Sequence, residues 1–336
     1  MAVAMASSMI PPSHAPAFLA SCGWAGAEIL PLAGDASFRR YFRIVQGDRS
    51  AVLMDAPPEH EDVLPFVAVA EWLAEKGLTA PEILARDMEQ GLLLLGDFGD
   101  WRLREYLDSE PARERELYEL ATDVLVHLHR HEPMPGLSPH GLEQWLEELK
   151  LFTDWYCPAV GLSVDAAAYR DAWTKVLEPV ANDGLAPVTV LRDYHAENVM
   201  LVKGREGVAH FGLLDFQDAL AGHPAYDLAS VLEDARRDVP QEIERAMLDR
   251  YIAATDNGQN FERAYWALAA QRNTRILGVF TRLWKRDNKP HYTHFQPRMW
   301  GLLERDLSQP GLKPVREWFD ANVGADYRAA PWKEAA

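Results

Sequence analysis

The alternation of apolar and polar positions changes its period near residue 100, which divides the chain into two parts. Before that point, apolar runs at 28–32, 41–45 and 51–55 are separated by loop-forming residues, a pattern typical of antiparallel strands. Residues 62–76 carry apolar positions at helical spacing, and two more short apolar runs follow them. The first part therefore predicts a small, mostly antiparallel sheet with one main helix.

After residue 100 the apolar positions recur with the period of a helix. The predicted helices span 111–130, 141–157, 165–181, 225–237, 240–254 and 261–286. One β-like segment interrupts them, because apolar runs at 199–203 and 211–214 are joined by a loop that contains Gly204 and Gly207. This segment predicts a β-hairpin within the helical part.

Together these elements predict an α+β fold with two lobes. Residues 1–96 would form the lobe with the sheet, and residues 97–336 would form the helical lobe. A hinge is expected near 96–101. Residues 1–16 show no clear apolar pattern, and we expect them to form a flexible tail.

The charge balance narrows the classes of partner. The chain has 51 acidic side chains against 34 Lys and Arg, a formal net charge of −17. Such an excess of acid disfavours non-specific binding to nucleic acid or to an anionic membrane. An anionic substrate would need locally concentrated positive charge or a metal ion, and no feature indicates an obligate protein partner.

Targeting and redox features predict a cytoplasmic protein. No apolar run approaches the roughly 18 residues of a membrane-spanning helix. Residues 1–38 hold no Lys or Arg to form the basic start of a signal peptide. Cys22 and Cys157 are the two cysteines, too few for a disulfide framework or a four-cysteine zinc site.

The predicted hairpin gathers oxygen-bearing side chains at one end. Antiparallel pairing places Asn198, just before the first strand, beside Asp215, just after the second. Asp193 lies five residues before Asn198, on the loop that leads into the hairpin. Carboxylate and amide oxygens are ligands that Mg²⁺ prefers, with waters and substrate phosphates completing its octahedron.

This set of residues is what phosphoryl transfer from ATP requires. A loop Asp accepts and orients the acceptor hydroxyl, while a later Asn and Asp hold the metal ions that bridge the phosphates. The spacing D-x-x-x-x-N alone also fits ordinary loop carboxylates. The L-L-D-F segment that follows at hairpin distance favours the catalytic interpretation.

Three segments surround these residues. They are L-R-D-Y-H-A-E-N-V-M, L-L-D-F-Q-D-A and G-H-P-A-Y-D-L-A-S-V-L, which begin at residues 191, 213 and 222. They resemble the aminoglycoside phosphotransferase/choline kinase family, which has a protein-kinase-like fold. The resemblance implies that Asp193 is the catalytic base, that Asn198 and Asp215 bind Mg²⁺, and that Asp227 is a buried brace for the catalytic loop.

A further segment, L-L-L-L-G-D-F-G-D at 92–100, resembles the hinge between the lobes of this family. The resemblance implies that the adenine of ATP hydrogen-bonds to hinge backbone, and the candidates are Leu95 and Asp97.

Four longer segments are more distinctive. They are G-D-A-S-F-R-R-Y-F-R, V-L-M-D-A-P-P-E, L-E-D-A-R-R-D-V-P and Q-R-N-T-R-I-L-G-V-F, which begin at 34, 52, 232 and 271. They resemble one subfamily, the N-acetylmuramate/N-acetylglucosamine kinases, which phosphorylate the anomeric hydroxyl during cell-wall sugar recycling. The resemblance implies the same ATP-dependent activity here, with an amino sugar as acceptor and Gly34 and Ser37 close to the phosphates.

One departure from the family pattern concerns the phosphates. Met54 stands about where protein kinases carry a strand-three Lys that pairs with the α- and β-phosphates. The role could pass to Arg39, Arg40 or Arg43, or to the metal ions alone, and Arg43 is counted among the nucleotide-binding candidates. The missing Lys also leaves open a non-catalytic, nucleotide-binding pseudokinase.

Candidate acceptor-binding residues lie in the helical part. The 271–290 segment holds six Lys and Arg against one acidic residue, and Arg272 and Arg275 share a predicted helix face. They could bind the carboxylate of N-acetylmuramate, and an ion-paired, solvated helix face is the alternative. By resemblance to relatives, the further candidates are Glu233, Asp234 and Arg236.

Two other interpretations stay open at this point. His195 lies inside the catalytic loop and is interpreted as a structural hydrogen-bonding residue, since Asp193 holds the position of the base. The acceptor could also be another hydroxyl compound, such as an aminoglycoside or choline, although a cationic acceptor would prefer an acidic pocket.

Overall fold

A computed structural model describes residues 10–34, 38–255 and 257–328 of the chain. Ser37 and residues 1–9 of the predicted tail lie outside the described residues. The strands are β1 (Glu28–Gly34), β2 (Arg40–Gln46), β3 (Arg49–Asp55), β4 (Ile83–Asp87), β5 (Leu92–Gly96), β6 (Pro139–His140), β7 (Val188–Val190), β8 (Val199–Leu201), β9 (Phe211–Leu213) and β10 (Leu220–Gly222).

Helices make up most of the remaining described residues. They are α1 (Ala15–Ser21), α2 (Leu64–Glu75), α3 (Leu103–Ser109), α4 (Glu114–Leu128), α5 (Leu142–Leu151), α6 (Cys157–Ala159), α7 (Ala166–Ala181), α8 (Ala225–Leu232), α9 (Gln241–Thr255), α10 (Gly258–Lys285), α11 (Gln296–Leu307), α12 (Lys313–Asn322) and α13 (Ala325–Arg328). A π-helical turn, Phe152–Tyr156, joins α5 to α6. No helix in the described ranges is long and apolar enough to cross a membrane.

The chain forms two compact units. The first consists of Met1–Leu103 with Asn198–Asp218, and the second of Arg104–Glu197 with Ala219–Ala336. The β8–β9 hairpin therefore packs with the sheet-containing part of the chain, although it follows α7 in sequence. The lobe boundary expected at residues 96 and 97 stays a prediction.

The first unit contains a five-stranded antiparallel sheet in the order β1-β2-β3-β5-β4. Phe42 lies opposite Leu53, and Leu53 lies opposite Leu94, so these three side chains share one face. Phe18 and Leu19 of α1 pack in the same buried cluster, and we call this the α1 face. Burial of these side chains attaches α1 to the sheet.

The second face of the sheet carries different residues. Met54 lies opposite Tyr41 in β2 and Leu93 in β5, and Arg43 lies opposite Val52. Because side chains alternate along a strand, these five lie on the face opposite α1. Met54, which stands where protein kinases carry the Lys, therefore lies on this opposite face, and its side chain is fully buried.

The β8–β9 hairpin is attached to the first unit through its backbone. The Leu201 N–H donates to the Trp101 carbonyl at 2.8 Å, and the Leu213 N–H donates to the Thr79 carbonyl at 2.7 Å. The Thr79 hydroxyl donates to the Ala209 carbonyl at 2.7 Å. These bonds fix the hairpin through the loops that follow α2 and β5.

The second unit is mostly helical. Its longest helix, α10, packs against α5, α8 and α11. A small sheet in the order β6-β10-β7 lies in the same unit, with Val188 and Val190 of β7 packed against Tyr226 of α8. Strand β7 leads directly into the loop that carries Asp193, so this core sets where that loop begins.

The predicted fold class is confirmed, since an antiparallel sheet and a helical part are both present. Several boundaries differ from the sequence prediction, and two of them concern α1 and α8. Helix α1 begins at Ala15, inside the predicted tail, because Phe18 and Leu19 find apolar partners on the sheet. Helix α8 ends at Leu232, whereas the sequence predicted an end near 237. Glu233, the next residue, has a non-helical conformation with φ −115° and ψ 53°.

Candidate active site

Asn198 and Asp215 lie together at one end of the β8–β9 hairpin. Val199 pairs with Leu213, and the Leu214 N–H donates to the Asn198 carbonyl at 2.9 Å. The Asn198 Nδ2 atom lies 3.4 Å from the Asp215 Oδ2 atom. The prediction that antiparallel pairing brings these two residues together is confirmed.

The Asp215 carboxylate is held from two sides while remaining partly exposed. Gln217 Nε2 donates to its Oδ1 at 2.8 Å, and Arg39 Nη2 lies 3.5 Å from the same oxygen. The side chain is 30% exposed. Asp215 has a φ of 58°, in the left-handed region, which Asp tolerates better than most residues.

This pair of side chains fits a magnesium ion by its donor chemistry. It offers a carboxylate and an amide, whose oxygens are ligands that Mg²⁺ accepts. Within the described ranges no group of three or more His, Cys, Asp or Glu side chains is arranged to hold a metal. Because Mg²⁺ usually keeps several waters and binds substrate phosphates, an ion held by Asn198 and Asp215 would take its other ligands from these.

The nucleotide candidates of β1 and β5 lie in the sheet. Gly34 is the last residue of β1 and pairs with Arg40, so the glycine-containing segment is the β1–β2 loop. Ser37, in that loop, lies outside the described residues. Leu95 pairs with Val52 on one side and Ile83 on the other, so its backbone lies between two neighbouring strands.

Arg43 and Asp97 bond to each other. Arg43 Nε lies 2.8 Å from Asp97 Oδ2, and its Nη2 donates to the Gly99 carbonyl at 2.9 Å. Burial lowers the Arg43 pKa, but the carboxylates of Asp100 and Asp97 outweigh this and raise it overall. The guanidinium therefore stays charged and ties the segment after β5 to β2.

In the second unit, the loop that carries Asp193 is braced by Asp227 of α8. The N–H groups of Leu191 and Arg192 donate to the Asp227 carboxylate at 2.6 and 2.9 Å. Asp227 is fully buried, and this burial raises its pKa to about 7, although the two backbone hydrogen bonds act in the opposite direction. The same carboxylate thus fixes two consecutive residues before Asp193.

Asp234 braces the other side of this loop. Its Oδ2 accepts the Ala196 N–H at 3.0 Å, and its Oδ1 accepts the Arg236 N–H at 2.8 Å. Arg236 Nη1 lies 3.3 Å from His195 Nε2, and Arg236 Nε lies 2.9 Å from Glu197 Oε2. Asp234 and His195 are at most 5% exposed, so these contacts stabilise the loop from inside the protein.

Arg192 has an uncommon backbone conformation for its residue type. Its φ of 69° lies in the left-handed region, which costs a non-glycine residue of order 1–3 kcal/mol. Asp227 holds its N–H, and the Ser230 hydroxyl donates to its carbonyl at 3.3 Å. Its guanidinium reaches Glu148 Oε1 at 2.9 Å.

Glu148 connects this loop to the predicted basic segment. Its Oε1 lies 3.7 Å from Arg275 Nε, and its Oε2 lies 3.3 Å from His140 Nε2. Burial raises the Glu148 pKa, but the hydrogen bond from His140 and the charges of Arg275 and Arg192 outweigh it, and the pKa falls to about 2. Glu148 therefore stays ionised and aligns two arginines.

Arg272 is buried beside the same loop. It is 3% exposed, and its Nη1 donates to the Glu233 carbonyl at 3.2 Å. Burial lowers its pKa, while the charges of Asp234 and Asp193 act to raise it. Arg272 thus contributes positive potential near Asp193 and lies away from solvent.

Glu233 lies in a buried cluster of carboxylates. Its Oε1 accepts from Arg305 Nη2 at 2.8 Å, and its Oε2 accepts from Asn273. Asn273 also donates to Asp306 at 2.8 Å, and Arg305 pairs with Glu244 at 2.8 Å. Because both Glu233 oxygens are bonded inside the protein, we leave Glu233 out of the proposed acceptor site.

Sequence reasoning did not single out three carboxylates that the structure brings to the candidate residues. They are Glu61, which lies near Arg39, Glu148, which lies near Arg192 and Arg275, and Glu197, which lies near Arg236. Glu197 lies inside the L-R-D-Y-H-A-E-N-V-M segment, so its position in the sequence could have marked it as a candidate. The other two are distant in sequence from their partners, and no local pattern marks them.

Comparison with known proteins identifies the family. The sequence pattern of the phosphotransferase enzyme family matches residues 28–267. The chain is 38% identical to the N-acetylmuramate/N-acetylglucosamine kinase of Caulobacter vibrioides, over 93% of this chain and 96% of that protein. It is 37% identical to the protein of the same name from Pseudomonas aeruginosa, over 87% of each chain.

A solved structure shows the same fold at low sequence identity. An aminoglycoside phosphotransferase in a ternary complex with streptomycin and ATP matches with a TM-score of 0.59 and 14% identity, over 91% of this chain and 99% of that chain. With more than half of its residues matched by the family pattern, the chain belongs to the phosphotransferase enzyme family.

Proposed function

We propose that this chain transfers the γ-phosphoryl group of ATP to the anomeric hydroxyl of N-acetylmuramate and N-acetylglucosamine, giving sugar 1-phosphates. The observation that carries the proposal is the Asn198–Asp215 pair at the end of the hairpin, which follows a braced Asp193 loop. Two relatives that share 37% and 38% of their residues with it carry the name of this sugar kinase. A cytoplasmic location stays a prediction.

Asp193 would accept the proton of the acceptor hydroxyl. As the oxygen–phosphorus bond forms, the bond from the γ-phosphorus to the bridging oxygen breaks and ADP leaves, while the hydroxyl proton passes to the Asp193 carboxylate. Bound Mg²⁺, held by Asn198 and Asp215, would neutralise charge on the phosphates. Asp227 and Asp234 position Asp193 through backbone hydrogen bonds.

Replacement of the base tests the mechanism. Asp193→Asn keeps the shape of the side chain but removes the proton acceptor, so kcat should fall by roughly 10²- to 10⁴-fold while the Kd for ATP stays unchanged. Asp249→Asn, a change of an exposed carboxylate on α9, is the control and should leave turnover intact.

The acceptor class is measured with the same enzyme. ATP consumption is followed with N-acetylmuramate, N-acetylglucosamine, aminoglycosides and choline, and phosphorus NMR locates the new phosphate ester. We expect turnover with the two amino sugars and a phosphate on the anomeric oxygen. Turnover with choline or an aminoglycoside alone, or near-normal turnover of Asp193→Asn, would contradict the proposal.

Arg275 is the proposed ligand for the carboxylate of N-acetylmuramate. Its side chain is 20% exposed, and its Nε atom lies 3.7 Å from Glu148 Oε1. Arg192, beside the catalytic residue, is held by the same Glu148. Two arginines aligned by one ionised carboxylate provide positive charge for an anionic acceptor.

Loss of this charge should affect one substrate selectively. Arg275→Ala should raise KM for N-acetylmuramate by roughly tenfold or more, because a hydrogen bond between charged groups contributes about 1.5–3 kcal/mol. KM for N-acetylglucosamine, which lacks the carboxylate, should change little. Arg286→Ala in the same basic segment, where the arginine is 55% exposed and paired with Asp287, is the matched control. Equal effects on both sugars would remove Arg275 from the acceptor site.

A further inference from the structure

Arg39 is a buried arginine beside one of the proposed metal ligands. It is 8% exposed, and its Nη2 atom lies 3.5 Å from Asp215 Oδ1. Its Nε atom lies 3.9 Å from Glu61 Oε2. Arg39 therefore lies beside two carboxylates that balance its charge.

Glu61 fixes the backbone from which Arg39 extends. Its Oε1 accepts the Phe38 N–H at 3.1 Å, while its Oε2 faces Arg39. The Phe38 and His60 rings stack with centroids 4.4 Å apart. Residues 38 and 39, directly before β2, are therefore held by the segment that precedes α2.

Arg40 is the first residue of β2, whereas Arg39 precedes the strand. Arg40 lies opposite Asp55 and bonds to it, with Nε 2.8 Å from Oδ2. Arg40 and Asp55 lie on the α1 face, whereas Met54 and its partner Tyr41 lie on the opposite face. A side chain on the α1 face cannot take the role of a Lys at Met54.

Arg43 is on the correct face but has other partners. Its guanidinium bonds to Asp97, Gly99 and Asp100 in the segment after β5. The Arg39 guanidinium, in contrast, lies beside Asp215, with its Nη2 atom 3.5 Å from Oδ1.

We infer that Arg39 binds the phosphate groups of the nucleotide in place of the strand-three Lys. This inference rests on the proposed kinase function. A guanidinium presents a planar fork of N–H donors that matches phosphate oxygens, and its charge is permanent even when buried. Glu61 and Asp215 compensate the buried charge in the structure, and Glu61 keeps Arg39 in place.

Nucleotide binding without any sugar tests the inference directly. Arg39→Gln removes the charge, Arg39→Lys retains it, and Arg40→Gln is the matched control for loss of the neighbouring arginine. Isothermal titration with adenosine, ADP and ATP, with Mg²⁺ and again with chelator, separates contacts to the adenine from contacts to the phosphates. Thermal unfolding of each variant reports whether it is folded.

For Arg39→Gln we expect Kd for ADP and ATP to rise by roughly 10- to 100-fold, with Kd for adenosine within about twofold of the wild type. Arg39→Lys should recover part of the loss, and Arg40→Gln should bind all three ligands normally. An unchanged Kd for ATP, or an equal loss for adenosine, would overturn the inference. If Arg39→Gln does not fold, Arg39→Lys decides: unchanged Kd values for ADP and ATP contradict a fork of hydrogen bonds to phosphate.

These outcomes are independent of the acceptor. A chain that binds ATP through Arg39 but phosphorylates no sugar would contradict the proposed function and leave the inference standing. If the wild-type chain phosphorylates the sugars and the Arg39→Gln variant binds ATP at normal affinity, the proposed function stands and the inference about Arg39 is contradicted.

Discussion

At Asp227 one buried carboxylate accepts two consecutive backbone N–H groups, those of Leu191 and Arg192. A carboxylate can accept both bonds at once, whereas an amide has one accepting oxygen. The two bonds also hold Arg192 at its positive φ. The position of Asp193 therefore depends on a residue 34 positions later in the chain.

Asp227→Asn should consequently damage both stability and turnover. One buried N–H would lose its acceptor, which costs about 1–3 kcal/mol of unfolding free energy. Displacement of Asp193 by even about 1 Å can reduce kcat by roughly 10²-fold. Urea unfolding and steady-state kinetics measure the two effects. Unaltered kcat in a variant that is destabilised would show that the brace acts on folding alone.

Within the helical unit, the contact of α10 with α5 is set by a glycine. A Cβ atom at Gly278 of α10 would overlap the backbone of Leu151, the last residue of α5. The π-helical turn Phe152–Tyr156 begins at the next residue, and its Phe152 is fully buried. This close approach also locates Arg275, one turn earlier in α10, near Glu148 of α5.

Two glycine substitutions separate packing from helix propensity. Gly278→Ala should destabilise the protein by about 1–3 kcal/mol, because the added methyl group forces the two helices apart. Gly301→Ala, in α11, has no atom within 4 Å of its added Cβ and should stabilise by about 0.5–1 kcal/mol. The comparison is made by urea unfolding. Stabilisation by both changes would contradict the close helix contact.

Buried carboxylates affect the stability of the whole molecule. Burial, together with the charge of Glu233, raises the pKa of Glu244 to about 8, and burial raises that of Asp306 well above its usual range. Arg305 and Asn273 offset part of this cost. The net charge of −17 adds a long-range repulsion that also opposes ionisation of these carboxylates.

Stability should therefore fall as the pH rises through the interval from about 5 to 8. In that interval the folded chain binds more protons at Glu244 than the unfolded chain, so the free energy of unfolding decreases by at most about 1.4 kcal/mol per pH unit per proton. Urea unfolding at pH 6, 7 and 8 measures this slope. Glu244→Gln should reduce the slope.

Salt distinguishes the buried cluster from the surface. Added salt screens repulsion between exposed charges but screens a buried group much less. If the slope of unfolding free energy against pH persists at high salt in the wild type and is smaller in Glu244→Gln, the titrating group belongs to the buried carboxylate cluster. The same slope in both proteins would contradict the role of Glu244.

Much of the site was predictable because its geometry is local in sequence. The separation of Asn198 and Asp215 follows from antiparallel pairing of two strands joined by a short loop, and the structure has them 3.4 Å apart. The end of α8 was predicted less well. The helix ends at Leu232, and the next two residues, Glu233 and Asp234, are buried in the interior.

The sequence alone determined the α+β class, the hairpin and the residue types suited to phosphoryl transfer, because these depend on local period and spacing. Tertiary structure decided which charges meet. The Arg39 Nη2 atom lies 3.5 Å from Asp215 Oδ1, whereas Arg40, the first residue of β2, bonds to Asp55 on the α1 face. Glu233 is bonded to Arg305, 72 residues away in the chain. Such pairings require the packing of distant segments, which no local pattern specifies.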